Sequence, residues 1–203
     1  MLDRRVFPPA RSDRGLTLIE LLVTLTIVAV LLAVGVPNLR SYFITNGLAT
    51  TTNELHAALN LARSEAVRRS VAVTIRRTSA TTRNWSDGWE IFVDDDGDGT
   101  KDATETVVIQ KHGLVPDRLT VYANATAADF LTFGIQGQST GGVLVICYDG
   151  QLTADGESRS RALMVSSSGR VRMGTDSDND NIPESDNGAD IDSCTNPSND
   201  SGT

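Results

Sequence analysis

Residues 16–34 read LTLIELLVTLTIVAVLLAV, nineteen residues whose only polar side chains are one Glu and three Thr. A helix of that length and composition can cross a bilayer. Four arginines (Arg4, Arg5, Arg11 and Arg14) precede the run and none lies inside it, which predicts a cytoplasmic N-terminus and a chain that continues outside the cytoplasm. No small-residue cleavage element follows Val34, so a membrane anchor competes with an ordinary secretory signal. Neither class explains Glu20, since a carboxylate at the bilayer centre costs about 2.5–3.5 kcal/mol and requires a partner.

Charge is distributed unevenly. The net charge is −8, and residues 174–203 alone hold eight acids and no Lys or Arg. The stretch 40–77 carries six arginines against Glu54 and Glu65, a local balance of +4. A wholly basic nucleic-acid-binding surface is thereby excluded, while a local basic patch is not. With two histidines (His56, His112) and two cysteines (Cys147, Cys194), there is little material for a zinc site, a thiol nucleophile or a histidine relay. No nucleophile elbow, P-loop or HExxH is present, and the carboxylates cluster in turn-like loops without an apolar pocket. The chain reads as non-catalytic.

Beyond Pro37, a residue that by itself means only a kink, apolar and small residues recur at Leu48, Leu55, Ala58, Leu59, Ala62 and Ala66. That is the period of an amphipathic helix, predicted to run from Leu16 to about Arg69 with Arg63, Arg68 and Arg69 near its negative dipole end. From Ser70 the pattern changes to eight short β-branched runs, 71–77, 89–93, 106–110, 119–122, 130–133, 143–148, 161–165 and 170–173, separated by Gly, Asn and Asp. One long helix followed only by strands predicts an α+β fold, the helix packed on an antiparallel β-sheet head.

The junction RG/LTLIE resembles the class III signal of type IV pilins and type II secretion pseudopilins. The resemblance implies that a prepilin peptidase cuts after Gly15 and methylates the new N-terminus at Leu16, a position more often Phe in that family. It also implies that Glu20 is the filament-assembly acid, paired with the free amine of Leu16 on a neighbouring subunit or its own. The helix end ELHAALNLARSEAVRRSVAVTI, the loop WEIFVDDDGDGTKDATE and the closing LMVSSSGRVRM resemble the GspH/FimT branch across most of the mature chain. The implied organisation is a leader (1–15), a transmembrane half-helix (16–36), an amphipathic half-helix (37–69), a β-rich head (70–173) and an acidic, flexible C-terminal tail (174–203). The implied partners are other major and minor pilins or pseudopilins, the peptidase and the inner membrane. The expected location is a single inner-membrane pass with a periplasmic head, followed by a pilus or pseudopilus.

The loop DDDGDGTKDATE satisfies D-x-D-x-D-G-x5-E. Asp94, Asp96 and Asp98 alternate, Gly99 supplies the turn, Thr100 a carbonyl, Asp102 a water position and Glu105 a bidentate ligand, a pattern suited to calcium. Because strands rather than helices flank it, a solvated hairpin without an ion is the competing reading, and no cofactor is required. The tail resembles a thrombospondin-type acidic calcium repeat, with Asp176, Asp178 and Asp180 in phase but Asn181 in place of Gly, and Glu184 and Asn187 where Asp is commoner. Without an ion, its low hydrophobicity and high charge predict disorder. Cys147, in an apolar strand, and Cys194, in the tail, either form a disulfide that ties the two together or remain free thiols.

After Gly169, the alternation of a strand places Arg170 and Arg172 on one face, where two guanidiniums suit adjacent phosphates. The Gly-Arg-x-Arg element resembles the DNA-binding motif of FimT-type minor pilins, which implies weak, sequence-independent contact with double-stranded DNA during natural transformation. Arg76 and Arg77, or Arg159 and Arg161, are candidate extensions of the patch. The alternative is a structural minor pilin, or a GspH-like pseudopilin, that initiates or tips a type IV pilus or type II secretion pseudopilus.

Overall fold

The computed structural model describes Gly15 and residues 17–198. Residues 1–14 of the expected leader (1–15), Leu16 and the last five residues lie outside the described residues. The chain forms two units, one up to Tyr42 and the other from Phe43 onward. One helix, α1 (Leu18–Arg69), contributes to both.

In the first unit α1 is apolar on every side, and large side chains from Leu18 to Leu39 are exposed. It is the one helix among the described residues long and apolar enough to cross a membrane. Its hydroxyls are turned back on the helix itself: Thr24 Oγ1 donates to the Leu21 carbonyl at 2.9 Å and Thr26 Oγ1 to the Leu22 carbonyl at 2.8 Å. Hydrocarbon therefore meets few unsatisfied polar groups there.

In the second unit α1 has a single buried stripe, Ile44, Leu48, Leu55, Ala58, Leu59, Ala62 and Ala66, the recurrence expected of a helix with one packed face. Two four-stranded antiparallel sheets contribute to the same core. The first has the order β3 (Val108–His112), β2 (Trp89–Val93), β1 (Val73–Arg77), β5 (Phe130–Phe133); the second has the order β10 (Val171–Met173), β9 (Ser160–Val165), β6 (Gly142–Tyr148), β4 (Leu119–Ala123). All eight expected runs thus become strands. The third lies at Val108–His112, two residues beyond the expected run, where Trp89 pairs with His112, and its register with β2 shifts between Ile91 and Phe92. The short hairpin of β7 (Thr153–Ala154) and β8 (Glu157–Ser158) was not anticipated; it turns on Asp155 and Gly156, both at positive φ (57° and 74°), as an Asp-Gly hairpin requires.

The β6 run VLVICY is buried along both faces. Leu144 and Ile146 join the core under the helix, while Val143, Val145 and Cys147 pack with Ala162, Met164, Ile191 and Cys194 in a second cluster. The cover on that outer face is the C-terminal segment. Its placement differs from the expectation of a flexible tail, for four physical reasons. The Cys147–Cys194 disulfide forms, with Cα atoms 6.0 Å apart. Ile191 is 1% exposed, and Gly174 N donates to the Ala162 carbonyl at 2.9 Å while Ile191 N donates to the Pro183 carbonyl at 3.0 Å. Arg83 also donates to Asn196 Oδ1, pinning the segment to the 81–84 turn.

Candidate functional site

Three regions carry the residues singled out by sequence. At the start of α1, Thr17 precedes the first helical residue, and its Oγ1 accepts the Glu20 amide hydrogen at 3.3 Å. Thr17 is therefore the N-cap and Glu20 the third helical residue, the spacing of a Thr-x-x-Glu capping box. A carboxylate there also faces the positive end of the helix dipole. This capping geometry is legible in TLIE and was missed beside the assembly reading. Gly15 is exposed just ahead of it.

The second region is the turn before β10. Gly169 has φ of +74°, and a Cβ there would stand 1.8 Å from the Gly137 carbonyl oxygen. Arg63 of α1 donates from Nε to that same carbonyl at 3.1 Å and from Nη2 to the Ser168 carbonyl at 3.2 Å. The glycine and the helix arginine together fix where the next residue projects. Arg170 is exposed, and its guanidinium has no hydrogen bond or ion pair to a described residue. Arg172 is also exposed but pairs with Asp186 of the tail.

Of the other arginines considered for this patch, Arg76, Arg77 and Arg159 are engaged elsewhere, whereas Arg161 is half-buried on β9 and its guanidinium has no hydrogen bond or ion pair to a described residue. Arg77 binds Asp129 at 2.6 Å, and Arg76 donates to the Gly99 carbonyl at 2.9 Å. Arg159 is 6% exposed and faces Glu157 at 3.5 Å and Asp155 at 3.8 Å. Arg68 and Arg69 both grip Glu65, at 2.5 and 2.6 Å; the hydrogen bonds from Arg68 and then Arg69 hold the Glu65 carboxyl below its ordinary value.

The third region is the 94–105 loop. Asp94, Asp96 and Glu105 each present an oxygen within 4.8 Å of the others, and the carboxylates of Asp98 and Asp102 are not in that group. Asp94 is fully buried. Its Oδ1 accepts the Gly97 amide at 2.7 Å, and its Oδ2 accepts the Gly99 amide at 3.0 Å and the Thr74 hydroxyl at 2.6 Å. Since the Thr74 proton goes to the carboxylate, the 2.6 Å contact between Thr74 and Thr132 hydroxyls must be donated by Thr132. Asp98 Oδ1 accepts the Thr100 amide at 2.6 Å. Glu105 receives the Asp95 amide at 2.8 Å on Oε1 and the Asp102 amide at 3.0 Å on Oε2. The loop closes on its own backbone amides.

Neither histidine joins a catalytic arrangement among the described residues. His112 stacks on Trp89 with ring centroids 4.1 Å apart and faces Glu54 at 3.3 Å, and His56 lies beside Asn60 of the same helix.

An all-round apolar helix continuing into an amphipathic half that packs on an antiparallel head is the architecture of a membrane-anchored pilin-type subunit. Residues 10–36 match the prokaryotic N-terminal methylation motif, and residues 51–169, more than half of the chain, match the family described as type II transport protein GspH. The chain belongs to the GspH family. Among solved structures it is similar to the type IV minor pilin FimU of Pseudomonas aeruginosa, with 27% identity and a TM-score of 0.54 over 74% of this chain and 96% of FimU. It is also similar to the minor pseudopilin EpsH from the type II secretion system of Vibrio cholerae, with 15% identity and a TM-score of 0.44 over 62% of this chain and 94% of EpsH. No curated protein sequence matches it. A minor pilin or pseudopilin role, with assembly beside other pilins or pseudopilins, follows from the family.

Proposed function

We propose that this chain is a non-catalytic minor subunit of a type IV pilus, cleaved by prepilin peptidase between Gly15 and Leu16, methylated at Leu16 and held in the inner membrane with its head in the periplasm before assembly. The observation that carries this reading is the exposed apolar half of α1, residues 18–36, whose single carboxylate, Glu20, lies at its first turn, on a chain similar to crystallised FimU over 96% of that chain. In a filament the apolar residues 18–36 pack among those of neighbouring subunits. Glu20 then loses water, and a neighbouring Leu16 amine supplies the countercharge that keeps each subunit in register. Glu20→Ala should leave the head folded and the protein membrane-bound while abolishing its recovery in sheared filaments. Full incorporation of the variant would remove Glu20 from the assembly role.

A second reading concerns DNA. Arg170, exposed and without a partner among the described residues, is set by Gly169 and Arg63 and favours a phosphate contact by the head, with Arg172 joining if a phosphate displaces Asp186. The test is the affinity of the full chain in detergent micelles for a short duplex over a salt series, alongside Arg170→Ala/Arg172→Ala. Binding that weakens with salt and is lost in the double variant places the subunit in DNA uptake. No binding by the intact protein at low salt assigns it to filament initiation, or to a pseudopilus as a GspH-like subunit.

A further inference from the structure

The C-terminal segment contains a second gathering of carboxylates, and it differs from the 94–105 loop in one atom. Glu184 is 5% exposed. Its Oε1 accepts both the amide and the hydroxyl of Ser177, each at 2.5 Å. Its Oε2 is buried with no hydrogen-bond partner. A buried carboxylate oxygen without a donor is expensive, and Glu184 stands within a group of acids. Oxygens of Asp176, Asp178 and Glu184 lie within 4.8 Å of one another, as do those of Asp178, Asp180 and Asp190. The bridge between Glu184 and Asp190 brings the two groups together. The arginine beside this cluster, Arg172, is engaged by Asp186.

We propose that Glu184 Oε2, together with the carboxylates of Asp176 and Asp178, binds a calcium ion, and that Asp180 and Asp190, which share Asp178 with this set, complete its negative shell. Calcium takes 6–8 oxygens at about 2.3–2.6 Å in flexible geometry, so ligand atoms up to about 5 Å apart fit around one ion. Magnesium demands shorter, octahedral bonds and surrenders its waters reluctantly, which suits this crowded carboxylate set less well. The ion supplies the missing partner of Oε2, relieves the repulsion among five acids and fastens the turn 176–190 over the outer face of β9 and β6. This site is independent of the pilus and DNA readings.

The test is calorimetric titration of the full chain in detergent micelles with calcium chloride and, separately, magnesium chloride. Saturable calcium binding that is weakened about tenfold or more by Glu184→Gln, and is unchanged by Asp96→Asn in the other loop, is the expected result. An isotherm that Glu184→Gln leaves intact, magnesium binding at least as tight as calcium, or no saturation by about 10 mM calcium overturns the proposal. Should Glu184→Gln fail to fold, amide hydrogen exchange of wild-type residues 177–185 decides. Protection that rises on adding calcium supports the site, and equal exchange with and without it overturns the site.

Discussion

In the 94–105 loop every carboxylate oxygen of Asp94 and Glu105 accepts a backbone amide or a hydroxyl, whereas in the 176–190 segment Glu184 keeps one oxygen unbonded. Both segments begin with alternating acids, and in both the first Asp gathers the amides that follow it. Asp176 accepts from Asn179 at 2.8 Å and from Asn181 at 3.0 Å, much as Asp94 accepts from Gly97 and Gly99. The difference lies at the closing glutamate. Glu105 takes one amide on each oxygen, while Glu184 takes the amide and the hydroxyl of Ser177 on Oε1 and leaves Oε2 without a hydrogen bond. The unbonded oxygen of Glu184 is the feature that separates the two loops, and counting acids in a sequence does not reveal it.

The largest expected effect tests the self-sufficiency of the first loop. Asp94→Ala leaves the Gly97 and Gly99 amides and the Thr74 hydroxyl without an acceptor in a fully buried site, and should cost about 3–5 kcal/mol in urea unfolding. Calcium should not restore it. A loss under about 1 kcal/mol would mean that the loop is held together by something other than its own carboxylates.

Next is the disulfide that fastens the second segment. Replacing Cys147 and Cys194 together by Ala removes a cross-link between residues 47 apart in sequence, worth about 2–4 kcal/mol. Exchange protection should fall in residues 174–198 and at the second cluster before it falls in β1, β2 and β5. Uniform loss across both sheets would show that the tail and the head are one cooperative unit rather than a cover on a core.

The contrast between the loops also marks where sequence is informative. The helix end at Arg69 and the eight strand runs follow from periodicity and β-branching, because backbone preference and burial agree there. The β6 run VLVICY held a further signal: six consecutive apolar residues cannot alternate between core and water, so both faces of that strand had to be covered. The tail's composition, low in apolar residues and rich in charge, pointed instead to disorder. Its order rests on a few residues, Ile191, Cys194 and Ile182, whose effect depends on landing against Val143, Val145 and Met164. Arg170 and Arg172, equivalent by spacing, became distinct because Asp186 reaches only Arg172, a pairing between residues 14 apart in the sequence that no local pattern encodes. Gly169 reads as part of a binding motif, but its positive φ and the nearby Gly137 carbonyl give it a packing role.

A smaller effect calibrates the charge of the tail. Arg172→Ala removes an exposed ion pair with Asp186, whose side chains are 44% and 22% exposed, so stability should change by no more than about 1 kcal/mol. Calcium affinity should stay constant or rise slightly, because the variant deletes a positive charge near the acidic cluster. A tenfold fall in calcium affinity would make Arg172 part of the scaffold of that site and would tie it to the same turn as the DNA reading.

The smallest effect is a control from outside both acidic segments. Desolvation raises the Asp129 carboxyl, but the hydrogen bonds from Thr82 and Arg77 outweigh it and leave the carboxyl below its ordinary value. A group whose folded value is depressed contributes fully above its unfolded value, about 3.9, and loses that contribution as pH falls through the folded value. Asp129→Asn should therefore lower stability slightly at neutral pH and flatten the acid limb of the stability curve below about pH 4. With Asp129 partly exposed, solvent screening keeps both changes small. An acid limb unchanged in Asp129→Asn would assign the acid sensitivity of the second unit to the other carboxyls held below their ordinary values, Glu65 and Glu184.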